Sequence, residues 1–283
     1  RAPSPQRRRR ARALTRATRR DRSGPPSLLW TALEYRALLE MALLPSSLPL
    51  LLSAPRGDGH PVLLVPGFVG DAGSMAGLKL YLRNRGYEVD DWGLGRNVGF
   101  QRKHARALAQ TVRFLHHRHG RKVSLVGWSL GGVFAMFAAH QVPECVRSVV
   151  TLGSPVSSDP QRSDSPAVVK ALYRLVAHPM GPVAHAAHVD AKVLRRPPPM
   201  PVSCLYSETD GVVPPHEATI DGDPAMHENI RVPGSHVGLG FNPLVLWIVA
   251  ERLSQAEDAW RPFDPQGLPG QLYRMLTPAS VPT

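Results

Sequence analysis

From residue 61 onward, short apolar runs alternate with helix-patterned segments, and that alternation limits the fold more than any other feature. PVLLVPGF (61–68), YEVDDWGL (87–94), KVSLVGWS (122–129) and VRSVVTLGSP (146–155) read as strands. The uninterrupted apolar run of the first is what a strand buried on both faces requires. Between them, SMAGLKLYLRNRG (74–86), NVGFQRKHARALAQTVRFLHHRHG (97–120) and LGGVFAMFAAHQVP (130–143) repeat apolar residues at helical spacing. The second ends in a cationic run that suits a helix C-terminus. This order demands a mainly parallel sheet, right-handed crossovers and helices on both faces.

The alternation breaks over residues 156–200, which are rich in Pro, His and Ser and close with RRPPPMP. An insertion of that length in an α/β domain reads as a cap or lid. Strands resume at VSCLYSETDG (202–211) and ENIRVPGSH (228–236), followed by the helix NPLVLWIVAERLSQ (242–255). From Trp260 the chain is Pro-rich and expected to run along the surface. Upstream, SLLWTALEYRALLEMALL (27–44) has the spacing of an amphipathic helix lying on the body, with Glu34, Arg36 and Glu40 on its polar face. The expected division is therefore a tail (1–24), a helix and linker (25–58), and an α/β domain (59–283) carrying the insertion.

The chain has 283 residues, 43% hydrophobic, enough for one large core or two small ones. Its net charge of +12 is localised: ten arginines and one acid, Asp21, put +9 into residues 1–24 and leave +3 on the remainder. That stretch lacks apolar periodicity and reads as disordered. Three roles fit such a tail: phosphate contact with nucleic acid, contact with an anionic lipid surface, or a dispensable leader. The absence of interleaved aromatics disfavours nucleic acid, and the dispensable leader is the favoured reading. The arginines are not followed by the compact apolar stretch of a secretory signal, so a cytoplasmic chain is expected, with secretion open if the N-terminus is trimmed. No apolar run reaches the ~18 residues of a spanning helix. The nearest, residues 41–54, is broken by Pro45 and Pro49. Cys145 and Cys204 match neither a disulfide framework nor a zinc pattern, and whether they pair is open.

VSLVGWSLGGV (123–133) places GxSxG on a strand-to-helix junction. The chain must reverse sharply there, and Gly127 and Gly131 give the backbone room to pass. Ser129 then projects above the C-terminal edge of the sheet, where open α/β sheets bind ligands. A serine hydroxyl needs a base to become a nucleophile. Asp210, ending one late strand, and His236, following the next within GSHVG, supply an acid and a base in the order Ser, Asp, His. The expected roles are nucleophile for Ser129, general base then acid for His236, and orienting carboxylate for Asp210. Expected oxyanion donors are the backbone N–H groups of Leu130 and of Phe68, the latter in the loop VPGFVG.

Taken together, VLLVPGFVGDAGSMAGLKLYLRNRGYEV, VSLVGWSLGG, SETDGVVP and GSHVGLG resemble the bacterial triacylglycerol esterase/lipase group of the α/β-hydrolase superfamily. The resemblance spans residues 59–255 without the insertion. It implies an α/β-hydrolase fold and ester hydrolysis through an acyl-serine intermediate, with no cofactor and no metal. Many members carry His-Gly at the start of the oxyanion loop; Pro66-Gly67 stands here, which leaves the donated N–H but changes how side chains support the loop.

Other chemistry-bearing residues have plainer readings. Glu208 competes with Asp210 but lies short of the strand end, and Asp221 and Asp223 read as solvated. His116, His117 and His119 sit at the polar end of a helix. His178, His185 and His188 lie in the insertion without a supporting carboxylate pair, so packing outweighs zinc. His60 serves the turn before the first strand. Trp128 and Phe68 are candidates to line the acyl site, and Trp128 equally to pack beneath the turn. The expected protein is an esterase or lipase for lipid-like or medium-chain esters. An acyltransferase with the same three residues and a non-catalytic anion-binding protein are the rivals. Serine at the junction argues against dehalogenases and epoxide hydrolases, which use Asp there.

Overall fold

The computed structural model of the chain describes residues 24–157, 164–167, 170–171 and 196–278. The arginine tail, most of the expected cap, and His178, His185 and His188 fall outside the described residues.

Six strands form one parallel sheet: β1 (Pro61–Val65), β2 (Glu88–Asp91), β3 (Val123–Trp128), β4 (Val146–Leu152), β5 (Val202–Tyr206) and β6 (His227–Arg231), in the order β2-β1-β3-β4-β5-β6. Registers such as Leu63 beside Leu125 and Val150 beside Ser203 keep the strands aligned, so the ends of β1, β3, β5 and β6 meet along one rim. The helices are α1 (Leu28–Ala32), α2 (Ala37–Ala42), α3 (Leu48–Ser53), α4 (Ala76–Asn84), α5 (Arg102–His119), α6 (Leu130–Gln141), α7 (Pro243–Leu253) and α8 (Gly267–Leu276). Leu63 and Val65 of β1 point to one face, where α5 and α6 pack, and Val62 and Leu64 to the other, beneath α3, α4 and α7. Alternate residues of a strand face opposite ways, so a strand covered twice must be apolar throughout.

Local chemistry fixes the helix ends. Gly120, at φ 61°, stops α5. Asn242 caps α7 by accepting from the N–H groups of Leu244 and Val245, with Pro243 in the first turn. No helix among the described residues is long and apolar enough to cross a membrane. Cys145 and Cys204 are buried, separate thiols.

Three expectations are corrected. The strand expected over 202–211 ends at Tyr206, so both Glu208 and Asp210 lie in the turn that follows. The C-terminal stretch is not merely an extended surface segment. It forms α8, and Phe263 and Tyr273 dock edge-to-face, with Phe263 also stacking edge-to-face on Trp247 of α7. Pro269 lies within the first turn, where its missing N–H costs no intrahelical bond. Finally, residues 27–44 are not one helix with its apolar face inward. A 3-10 turn (Leu33–Arg36) separates α1 from α2, and the orientation is inverted: Leu38 and Leu39 are 68% and 67% exposed while Glu40 is 9% exposed. Glu40 is drawn inward because the backbone N–H and hydroxyl of Ser235 and the Asn242 side-chain amide beneath it need an acceptor.

Candidate active site

Ser129 occupies the turn between β3 and α6 at φ 54°, a conformation that costs a non-glycine residue roughly 1–3 kcal/mol. Its N–H donates to the Leu152 carbonyl at 2.8 Å, which holds the turn against β4. A Cβ on Gly131 would lie 2.1 Å from the Val65 carbonyl oxygen, and one on Gly127 2.4 Å from Gly132 Cα. The reversal therefore needs both glycines for close packing. Leu130 opens α6, so its N–H stands at the helix N-terminus beside the serine.

His236 and Asp210 arrive from loops after β6 and β5. His236 Nε2 lies 2.9 Å from Ser129 Oγ, and His236 Nδ1 lies 2.8 Å from Asp210 Oδ2. The other Asp210 oxygen accepts the N–H groups of Val212 and Val213 at 2.8 and 2.7 Å. Asp210 is 2% exposed, so its geometry is set by these bonds rather than by water. Burial alone would push the His236 pKa down. The Asp210 carboxylate, by charge and hydrogen bond, and the charge of Glu34 outweigh it, holding the imidazole above its ordinary value. Glu208 points elsewhere and pairs with Arg231 at 3.3 Å.

The loop after β1 runs beside the serine, with a Cβ on Gly67 placed 3.2 Å from Ser129 Cβ. Phe68 is half-buried in this loop and Val69 holds φ 57°. Asn97 grips the loop: its side chain donates to the Pro66 carbonyl, its carbonyl accepts from Val69, and its N–H donates to Gly70, each within 2.8 Å. Support for this loop thus comes from a buried asparagine distant in sequence. Asn97 and Gly153 are site-shaping residues that pattern reading missed. Gly153, at φ 53°, leaves room that a Cβ would take from Asp210 and His236, at 3.0 and 3.2 Å. A turn glycine after a strand carries no hint of that purpose.

Trp128 donates its indole N–H to the His236 carbonyl at 3.1 Å and packs edge-to-face on Phe241. Its described contacts are with the histidine loop. Asp221 and Asp223 are exposed. His116 sits 3.1 Å from the Arg121 carbonyl at the end of α5. His60 does more than serve a turn: it bridges Asp58 to Ser124. Asp164, His216 and Glu217 come together, but His216 already pairs with Asp164 at 3.1 Å and Glu217 accepts the Asp164 N–H.

With these elements in place, the fold is that of the α/β hydrolases. Among solved structures the chain is similar to lipase B of Aspergillus fumigatus, at 17% identity and TM-score 0.53, covering 72% of this chain and 55% of that one. It therefore spans little more than half the length of that lipase. It is also similar to a structure described with LipS and LipT, two metagenome-derived lipolytic enzymes, at 20% identity and TM-score 0.52, covering 70% of this chain and 93% of that one. No family model and no curated protein sequence matches the chain.

Proposed function

We propose that the chain is a serine carboxylic ester hydrolase acting on lipid-like or medium-chain esters. The observation that carries this is the unbroken line Ser129 Oγ–His236 Nε2, 2.9 Å, and His236 Nδ1–Asp210 Oδ2, 2.8 Å, at a strained strand-to-helix turn. His236 takes the Ser129 proton as the oxygen attacks the ester carbonyl, and the Asp210 carboxylate stabilises the imidazolium. The tetrahedral oxyanion is met by the N–H groups of Phe68 and Leu130. His236 then returns its proton to the leaving alcohol, and water activated by the same imidazole cleaves the acyl-serine. Exposed Val69 and Val237 adjoin Phe68 and His236 in the chain, which favours esters with a greasy acyl chain.

The test is turnover of p-nitrophenyl esters of increasing chain length by the wild type and Ser129→Ala. The substitution is expected to lower kcat about 10^6-fold. Unchanged turnover would reject the mechanism, and a flat response to chain length would reject the lipid-like substrate class.

A further inference from the structure

The loops bearing Asp210 and His236 are both fastened to the N-terminal strap, residues 31–40, which lies outside the sheet and its crossovers. Glu34 Oε1 accepts the N–H of Gly211 at 2.8 Å and of His236 at 3.0 Å, and Oε2 accepts the N–H of Val237 at 2.9 Å. Thr31 Oγ1 donates to the Gly211 carbonyl at 2.7 Å. Arg36 donates to Thr209 Oγ1 at 2.9 Å and to the Gly234 carbonyl at 3.1 Å. Glu40 Oε1 accepts the N–H and the hydroxyl of Ser235 at 2.7 and 2.8 Å, and Oε2 accepts from Asn242 Nδ2 at 3.1 Å. The residues on both sides of Asp210 and on both sides of His236 are thus held by one segment.

The contact surfaces are cut to fit. A Cβ on Gly211 would stand 2.5 Å from the Trp30 carbonyl oxygen, and one on Gly238 2.2 Å from Glu40 Oε2. Neither loop is part of the ladder at these positions, so without the strap their N–H groups would be buried and unpaired, or the loops would open to water. A displacement of about 1 Å between a base and its nucleophile costs up to ~10^2-fold in rate.

We propose that Glu34, seconded by Arg36 and Glu40, is a positioning residue for the base: it sets the distance between the Asp210 and His236 loops and adds its negative charge behind the imidazole. The proposal rests on the ester-hydrolase reading for its kinetic consequences. The charged and titratable groups around His236 are Asp210 from the loop after β5, Glu34 and, one layer out, Arg36 and Glu40 from the strap; Ser129 faces it from the β3–α6 turn. A glutamine at 34 keeps one acceptor oxygen, but turns an amide N–H toward a backbone donor and removes the charge.

The experiment uses the full chain with p-nitrophenyl butyrate and, in parallel, an NMR titration of the His236 imidazole. Glu34→Gln is expected to lower kcat roughly 10- to 100-fold with KM within about twofold. The acid limb of kcat/KM and the imidazole midpoint should both move to lower pH, because a cation-stabilising charge is gone. Glu34→Asp, which keeps the charge but cannot span all three N–H groups, should lose kcat while holding the wild-type midpoint, and it serves equally if the glutamine variant fails to fold. Wild-type kcat in both variants, or an unmoved imidazole midpoint in Glu34→Gln, overturns the proposal. If Ser129→Ala keeps its turnover, the hydrolase reading fails instead, and the NMR titration still decides whether Glu34 acts on His236.

Discussion

Strand β3 carries a Ser–His–Asp arrangement at each end. At its C-terminal end Ser129 meets His236 and Asp210. Near its start, Ser124 Oγ lies 2.8 Å from His60 Nε2, whose Nδ1 lies 2.5 Å from Asp58. The two serines are five positions apart, roughly 16 Å along the strand. Their surroundings differ. Ser124 and His60 are fully buried, and Ser124 Oγ also contacts Ser148 Oγ at 3.0 Å, tying β4 to β3. Its backbone runs inside the sheet, paired with Val62 of β1 and Ser148 of β4. Asp58 is further bound by Arg121 and Arg147 at 2.6 and 2.9 Å. The inner arrangement is a clasp joining β1, β3 and β4. The same residue types meet at the rim on a strained turn, Ser129 at φ 54°, that lifts the oxygen off the ladder.

The histidines lean in opposite directions. Burial, aided by the charges of Arg147 and Arg121, brings His60 down to about 4 against the pull of Asp58, whereas His236 is held above its ordinary value. A neutral buried imidazole suits a clasp, and an imidazole backed by carboxylates suits the base role proposed for His236.

The sharpest way to break this comparison is to neutralise each aspartate. Asp210→Asn should lower kcat about 10^4-fold, by the tautomer argument that applies to such sites, while leaving the melting temperature nearly unchanged. Asp58→Asn should do the reverse: kcat within about twofold, and a stability loss of about 1–3 kcal/mol in denaturant titration. A rate loss in the second variant would show the two sites are not independent.

A milder effect separates the histidines by pH. Because folding lowers the His60 pKa from 6.5 to about 4, the unfolded chain binds more protons between those values. Stability should therefore fall as pH drops through that window, by about 3 kcal/mol from this group. The raised His236 contributes in the opposite sense, adding stability below its unfolded value and losing it as pH rises through its folded one. Urea titrations at pH 7 and pH 4.5 check the sign, and His60→Gln should flatten the acid loss; an equal loss in that variant assigns it elsewhere.

The smallest effect is expected at the terminus. Removing residues 1–24 should leave turnover of dissolved esters unchanged, since the strap begins after them. A collapse in kcat would place the arginine stretch inside the working enzyme.

Much of this architecture was readable before any coordinates. Parallel strands covered on both faces must be apolar in succession, so β1 and β3 announced themselves, and the crowded turn at Ser129 required glycines at 127 and 131. Asp210 against Glu208 was harder: both lie past the end of β5, and only the loop path turned one to His236 and the other to Arg231. Least legible was the strap. Acids on an amphipathic helix look solvent-facing, and nothing local betrays that Glu34 and Glu40 answer N–H groups about two hundred residues away.

What the amino-acid order determined by itself was periodicity and backbone permission: where strands, helices and the sharp turn had to be. What tertiary structure alone decided was partnership. Which carboxylate backs the imidazole of His236, which asparagine holds the loop after β1, and which of the two Ser–His–Asp arrangements stands at the rim depend on groups far apart in the chain. Local propensity cannot encode distances that exist only once the sheet has brought its loops together.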